Sequence, residues 1–100
     1  MIDIVGSLVV YNPKMSEVSR VIESFFSGKD GLDKKLVIVD NSSKTNELDF
    51  KKYLEKVNVE YIYIGENIGF GAGHNVVVRK YVEKSQCFVV LNPDVYFGER

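Results

Sequence analysis

The chain reads as an α/β domain in which a parallel sheet of about four strands carries helices on both faces. Three observations predict this. Apolar stretches rich in Val and Ile recur along the sequence, and each is short enough to be a strand. Between them lie longer segments whose apolar residues fall three and four apart, the spacing of one helix face. The strand stretches are also nearly continuous in apolar character rather than alternating, as strands covered on both faces are. The resulting β-α-β-α-β-α-β order favours right-handed crossovers between parallel neighbours.

The first strand spans Ile4 to Val10 and ends at Tyr11-Asn12-Pro13, where Asn12 suits the N-cap of a helix. In that helix Val18, Val21, Ile22, Phe25 and Phe26 share one face, and Gly28 and Gly31 stop it. The second strand, Lys35 to Val39, runs into Asp40-Asn41-Ser42-Ser43. Asn46 suits the cap of a second helix, with Phe50, Tyr53, Leu54 and Val57 inward and Lys51, Lys52, Glu55 and Lys56 solvated. A third strand covers Glu60 to Ile64, with Tyr61 and Tyr63 alternating against Ile62 and Ile64. The glycine-rich segment Gly65 to Gly73 leads into a third helix from about Ala72 to Lys84, whose apolar residues are Val76, Val77, Val78, Tyr81 and Val82. Cys87 to Leu91 forms the fourth strand, and it stops abruptly at Asn92-Pro93-Asp94.

One hundred residues with 45% hydrophobic and 27% charged side chains describe a single domain, residues 1–100, with neither repeats nor a low-complexity linker. A net charge of −1 provides no global attraction for nucleic acid or anionic lipid, so an anion must be bound locally. The N-terminal segment lacks the basic flank of a signal peptide, and no apolar run reaches the roughly 18 residues of a membrane span. A cytoplasmic chain is expected. The single cysteine, Cys87, allows no internal disulfide and is expected to be a small buried hydrophobe. One His and one Cys do not make a zinc site, and no Gly-x-Ser-x-Gly elbow is present.

Two strands thus deliver an acid, Asp40 and Asp94, towards one sheet edge, the edge at which open α/β sheets bind ligands. Carboxylates there suit a hard divalent cation or hydrogen bonds from a base or sugar. Asp-Asn and Asn-Pro-Asp are equally good turn sequences. The dinucleotide fingerprint is absent, because the turn after the first strand holds no glycine and the later Gly69-Phe70-Gly71-Ala72-Gly73 is followed by His74. No P-loop is present either. The glycine segment allows close approach of a phosphate or ribose and offers free amides at a helix N-terminus, or else it is a flexible turn with Phe70 tucked into the core. For His74 a hydrogen-bonding or capping role is expected.

The ordered motifs Val9-Val10-Tyr11-Asn12, Val39-Asp40-Asn41-Ser42-Ser43, Asn67-x-Gly69-Phe70-Gly71-Ala72-Gly73-x-Asn75 and Leu91-Asn92-Pro93-Asp94-Val95 resemble the family 2 glycosyltransferases of the GT-A fold. The resemblance is nearest to bacterial rhamnosyltransferase-like members and spans essentially the whole chain. It implies the Rossmann-like nucleotide-binding half of that fold, holding a dTDP- or UDP-linked sugar. By similarity, Tyr11 and its neighbour Asn12 border the base, Asp40 bonds the base imide or the ribose, and Asn67, Gly71 and Asn75 lie along the nucleotide and sugar. Asp94 matches the last acid of an Asp-x-Asp motif that ligates Mg²⁺ or Mn²⁺, and Asn92 replaces the first, removing one negative charge. The implied reaction is inverting transfer to a glycan or lipid-linked acceptor. The general base lies in an acceptor-binding part beyond the point where this chain stops, so the chain alone is expected to be inactive. A full-length enzyme of this kind would be cytoplasmic and peripheral to the inner membrane.

The principal alternative is a non-catalytic nucleotide-binding or interaction domain of the same α/β fold. A receiver-like signalling domain needs an acid cluster after the first strand, where this chain has Tyr11-Asn12-Pro13. A sugar nucleotidylyltransferase needs a glycine-rich first loop, which is missing. Exposure of Val95, Tyr96 and Phe97 would favour self-association.

Overall fold

A computed structural model of the chain describes residues 1–28, 30–56 and 58–92, apart from the side chain of Lys56. Its elements are β1 (Ile2–Val10), α1 (Met15–Phe26), β2 (Lys34–Asp40), α2 (Glu47–Lys56), β3 (Val59–Tyr63), α3 (Phe70–Tyr81) and β4 (Ser85–Leu91). The predicted alternation is present in full. The boundaries shift by a few residues, the largest change being in α3, which starts within the glycine segment. Val57, expected to face inward, and the Asp94 to Phe97 segment lie outside the described residues.

The four strands form one sheet in the order β3-β2-β1-β4, and every pairing is parallel. The register runs from Ile4 beside Lys34 to Val10 beside Asp40, and from Ile2 beside Ser85 to Leu8 beside Leu91. β1 therefore lies between β2 and the last strand, β4. The links out of β1 and β2 step one way across the sheet, whereas the link out of β3 returns past β1 to its far side. Right-handed crossovers then put α1 and α2 on one face and α3 on the other.

Side-chain parity sorts the core accordingly. Leu8, Val10, Leu36, Ile38 and Leu91 meet Val18, Val21, Ile22 and Phe25 of α1 and Phe50 of α2 in one cluster. Val5, Val9, Val37 and Val39 meet Val77 and Tyr81 of α3 in the other. Leu8, Leu36, Ile38, Ile22 and Phe50 are fully buried, each worth about 1.5–3 kcal/mol relative to exposure. On β3 the expected alternation is present, with Tyr61 packing on the α1–α2 side and Ile62 on the α3 side.

Two glycines set how closely the layers approach. A Cβ on Gly6 would stand 2.8 Å from the Phe25 ring, and one on Gly73 would stand 2.8 Å from a Val9 methyl. The inner stripe of α3 is consequently Gly73, Val77 and Tyr81. Val82, expected to contribute apolar surface, is 60% exposed.

Cys87 corrects the sequence reading: it is exposed. It shares a face with Ile4, but β4 lies at the sheet edge, where α1 does not extend over it. Val90, on the opposite face of β4, is likewise exposed. Among the described residues no helix is long and apolar enough to cross a membrane.

Candidate functional site at the carboxyl edge of the sheet

The strand order reverses between β1 and β4, and the crevice outside their carboxyl ends is where open α/β sheets take ligands. Tyr11 and Asn12 follow β1 there, and Asn92 follows β4; all three are exposed. Asn12 does not cap α1. Its φ of 46° is left-handed, a conformation that Asn tolerates, and Lys14 occupies the cap position. The Asn12 N–H instead donates to Ser42 Oγ at 2.7 Å, and the Asn41 N–H donates to the Val10 carbonyl at 2.8 Å. These two bonds tie the ends of β1 and β2 together.

Asp40 is fully buried. Its Oδ1 accepts from the Ser42 N–H at 2.9 Å, and its Oδ2 accepts from Asn46 Nδ2 at 2.8 Å and from the Tyr61 hydroxyl at 2.6 Å. Burial works to raise its pKa, but the hydrogen bonds from Ser42, Tyr61 and Asn46 outweigh it and hold the carboxyl below the ordinary Asp range. The Tyr61 phenol, partly buried and donating to that carboxylate, has its pKa pushed up to about 12. Asn46 does precede α2, and its carbonyl receives the Asp49 and Phe50 N–H groups, but its side chain serves Asp40. The Asp40 side chain thus points to the α2 side of the sheet and closes it.

The α3 side is built differently. Gly69 caps α3 with φ 84°, a left-handed conformation suited to glycine, and no side chain caps the helix. Asn67 Oδ1 accepts the Gly69 N–H at 3.0 Å, and the Gly69 carbonyl accepts from Gly73 N–H and from Asn41 Nδ2, both at 3.1 Å. A Cβ on Gly69 or Gly71 would meet nothing within 4 Å, so the outer side of this turn is open. The first-turn amides of α3 have no carbonyl within the helix to donate to and lie beside the crevice. Phe70 is 53% exposed, which overturns the reading that tucks it into the core. Asn75 is exposed on α3.

One turn further along, His74 Nδ1 lies 2.6 Å from the hydroxyl of the fully buried Ser7. This is the hydrogen-bonding role expected of His74, and it fastens α3 to the middle of β1. Burial lowers the His74 pKa and so favours the neutral imidazole.

Tyr11, Asn12, Asn67 and Gly71 are therefore at or beside one edge, with Asn92 at the same end of the sheet. Asp40 is at the same strand end but turned away from the α3 side. Asp94 lies outside the described residues. Among the described residues no group of three or more His, Cys, Asp or Glu could hold a metal ion. Sequence reasoning gave no site role to Asn41, Ser42 or Tyr61. For Asn41 a signal exists: it is two residues beyond Val39, so strand alternation puts it on the α3 side.

Among the described residues, the opposite, amino end of the sheet has its charged groups paired within the chain. A hollow of about 360 Å³ there is lined by Phe26, Gly28, Asp30, Asp33, Lys34 and Asn58. Its charged pair, Lys34 and Asp30, is joined at 3.0 Å, and Lys34 also donates to the Phe25 and Ser27 carbonyls at the end of α1. Glu60 is similarly committed, to Lys80 and to the Tyr81 hydroxyl.

No protein-family model matches the sequence, and no curated protein does. Among solved structures the chain is similar to S. aureus TarS. It superposes on TarS residues 1–349 with a TM-score of 0.68 at 19% identity, covering 95% of this chain and 28% of that one. On a second TarS structure it gives 0.71 at 18% identity, covering 95% of this chain and 17% of that one. The chain therefore spans less than a third of the TarS chains, and what it shares with them is the fold, a parallel α/β sheet.

Proposed function

We propose that this chain is the donor-nucleotide-binding part of a glycosyltransferase. The observation that carries this reading is the reversal of strand order between β1 and β4, with Tyr11 and Asn12 and the glycine-opened N-terminus of α3, which no side chain caps, at that end of the sheet. A nucleoside diphosphate fits that edge in kind. Tyr11 presents an exposed ring for a base, and the first-turn amides of α3 present N–H donors for anionic oxygen. The fold shared with TarS and the motif order from Tyr11 to Asp94 support the same reading.

In the reaction, an acceptor hydroxyl attacks the anomeric carbon of the sugar and the nucleoside diphosphate leaves. The residues of this chain hold the leaving group. They orient the base through Tyr11 and Asn12, brace the Gly69 turn through Asn67 and aim N–H dipoles at developing negative charge. Mg²⁺ or Mn²⁺ is the proposed cofactor; when bound, it neutralises charge on the diphosphate. Asp94 is the carboxylate offered to it, and a single carboxylate with substrate phosphates suits Mg²⁺. Asn92 in place of an acid makes the affinity lower than that of a two-acid site. The Leu91-Asn92-Pro93-Asp94 sequence supports dTDP-rhamnose as the donor, with UDP-linked sugars as the other class. A glycan or lipid-linked acceptor and the general base belong to the acceptor-binding part of the complete enzyme.

The test is an NMR titration of the labelled chain with UDP and dTDP, with and without Mg²⁺ or Mn²⁺. Shifts at Tyr11, at residues 67–75 and at Asp94, larger with metal, are expected. The absence of shifts at millimolar nucleotide would overturn the reading. Transfer assays on this chain alone should show no sustained turnover, since none of its residues matches the base.

A further inference from the structure

The two edges of the sheet are finished differently. β3 is short, and its Glu60 carries charge there, bonded to Lys80 and to the Tyr81 hydroxyl with Lys35 3.9 Å away. Charge of that kind keeps an edge strand from pairing with another chain. β4 has no such protection. Its seven residues, Ser85-Gln86-Cys87-Phe88-Val89-Val90-Leu91, contain neither charge nor proline, whereas β1, β2 and β3 each include a charged residue. Neither face of β4 is fully covered: Cys87 and Val90 are exposed on opposite faces, and Phe88 and Val89 are half-buried. Among the described residues no strand pairs with its outer side.

We propose that β4 is a homodimer interface, on which a second copy of this chain adds its own β4 antiparallel and extends the sheet across a two-fold axis. The backbone fixes the register. The Ile2 N–H donates to the Lys84 carbonyl at 2.9 Å, and inward and outward peptide groups alternate along a parallel strand. Gln86, Phe88 and Val90 are therefore turned to β1, while Ser85, Cys87, Val89 and Leu91 present N–H and C=O to the open side. Antiparallel copies must match outward residues with outward ones. Of the registers that do so, the one centred on Phe88 pairs all seven residues. Cys87 then exchanges hydrogen bonds with Val89 of the second copy, and Ser85 with Leu91 of the second copy. Phe88 faces Phe88 of the second copy in a non-hydrogen-bonded pair, where side chains come closest, and exposed Val90 gains Gln86 of the second copy beside it. Charge agrees with this occupant: an uncharged edge suits an uncharged strand, and the flanking Lys84 falls opposite Asn92 rather than another lysine. The dimer uses up both β4 edges and leaves the charged β3 edges outside, so assembly stops at two. Because the paired strands run oppositely, the carboxyl edges of the two copies point away from each other and both stay open. The inference is thus independent of the nucleotide-binding reading.

The experiment is sedimentation equilibrium of the 100-residue chain from low to high micromolar concentration, with amide hydrogen exchange followed by NMR, on the wild type, Cys87→Pro and Cys87→Lys. The wild-type mass should double and then stop. As it does, the Ser85, Cys87, Val89 and Leu91 amides should gain protection, whereas Gln86, Phe88 and Val90, bonded to β1, should be protected throughout. Cys87→Pro deletes an outward N–H and leaves the bonds to β1 in place. It should weaken dimerisation roughly tenfold or more, since the bond is lost in both copies. Cys87→Lys puts a charge on a position that is already exposed; it should act in the same direction and keeps the test in hand if proline disrupts the fold. A monomer at every concentration would overturn the inference. So would a dimer that leaves the outward amides unprotected or is indifferent to both substitutions, since it would use another surface. Growth past two copies would overturn the closed two-fold pairing.

Discussion

On the α2 side of the sheet, the end of β2 is sealed: Ser42, Asn46 and Tyr61 converge on one buried carboxylate, and the Ile64 N–H closes on the Asp40 carbonyl at 2.9 Å. On the α3 side the same strand end meets an uncapped helix, a left-handed glycine and an unsatisfied amide oxygen. The sealed side has its polar groups paired by the chain itself, so it contributes stability. The open side leaves polar groups for something else to pair, and that division is what a binding edge on a small domain requires.

Substitutions at four positions sharpen or break this comparison. Asp40→Ala should cost the most, about 3 kcal/mol in urea unfolding, because it strands three donors that now share a charged acceptor. The pH dependence follows from the same carboxylate. Its folded pKa lies below the ordinary 3.8, so its stabilisation is fully present above that value and drains away as pH falls through the lower folded value. Asp40→Asn should flatten that acid limb while lowering stability at neutral pH. An unchanged acid limb would mean that Asp40 is not the anchor of the sealed side.

Gly73→Ala comes next, at about 1–3 kcal/mol, since the added Cβ would sit 2.8 Å from a methyl of buried Val9. Gly71→Ala, two residues earlier on α3, should do the reverse. With nothing within 4 Å it should gain about 0.5–1 kcal/mol of helix stability, read as a higher unfolding midpoint. Equal losses at both glycines would show that the first turn of α3 is closed rather than open. Cys87→Ser should have the smallest effect, within about 0.5 kcal/mol, because the thiol is exposed. A loss of a few kcal/mol there would restore the buried reading and place a covering element over β4.

The element order was legible because period and composition are local properties. Ile4 to Val10 and Phe88 to Leu91 are uninterrupted apolar runs, and Val18, Val21, Ile22 and Phe25 mark one helical face. Burial at the edge was not legible. Cys87 has the neighbours of a core residue, and only the strand order reveals that α1 stops short of it. The layout of the candidate edge was half legible. Tyr11, Asn12, Asn67 and Gly71 could be named from motif order, but the partition between Asp40 and Asn41 depends on Tyr61 and Gly69 reaching the strand end from distant parts of the chain. Such long-range hydrogen bonds leave no periodic signal. Asn12 misled for a related reason: Asn suits both an N-cap and a left-handed turn, and the Ser42 hydroxyl lies beside the second.

The position of β1 has a consequence for how the molecule is made. It is made before β2 and β3, yet one of its two sheet neighbours, β4, comes after every other strand and helix among the described residues. Until Ser85–Leu91 arrives, the edge of β1 from Ile2 to Leu8 has no partner, and no local hairpin substitutes for it because every pairing is parallel. Loop closure must be completed before that pairing is gained, so folding should be slow for the chain's size, with its late step the docking of α3 and β4 as a unit. The growing chain is most vulnerable to aggregation in that interval, and a chaperone that shields the β1 edge would raise yield without changing the stability of the finished domain.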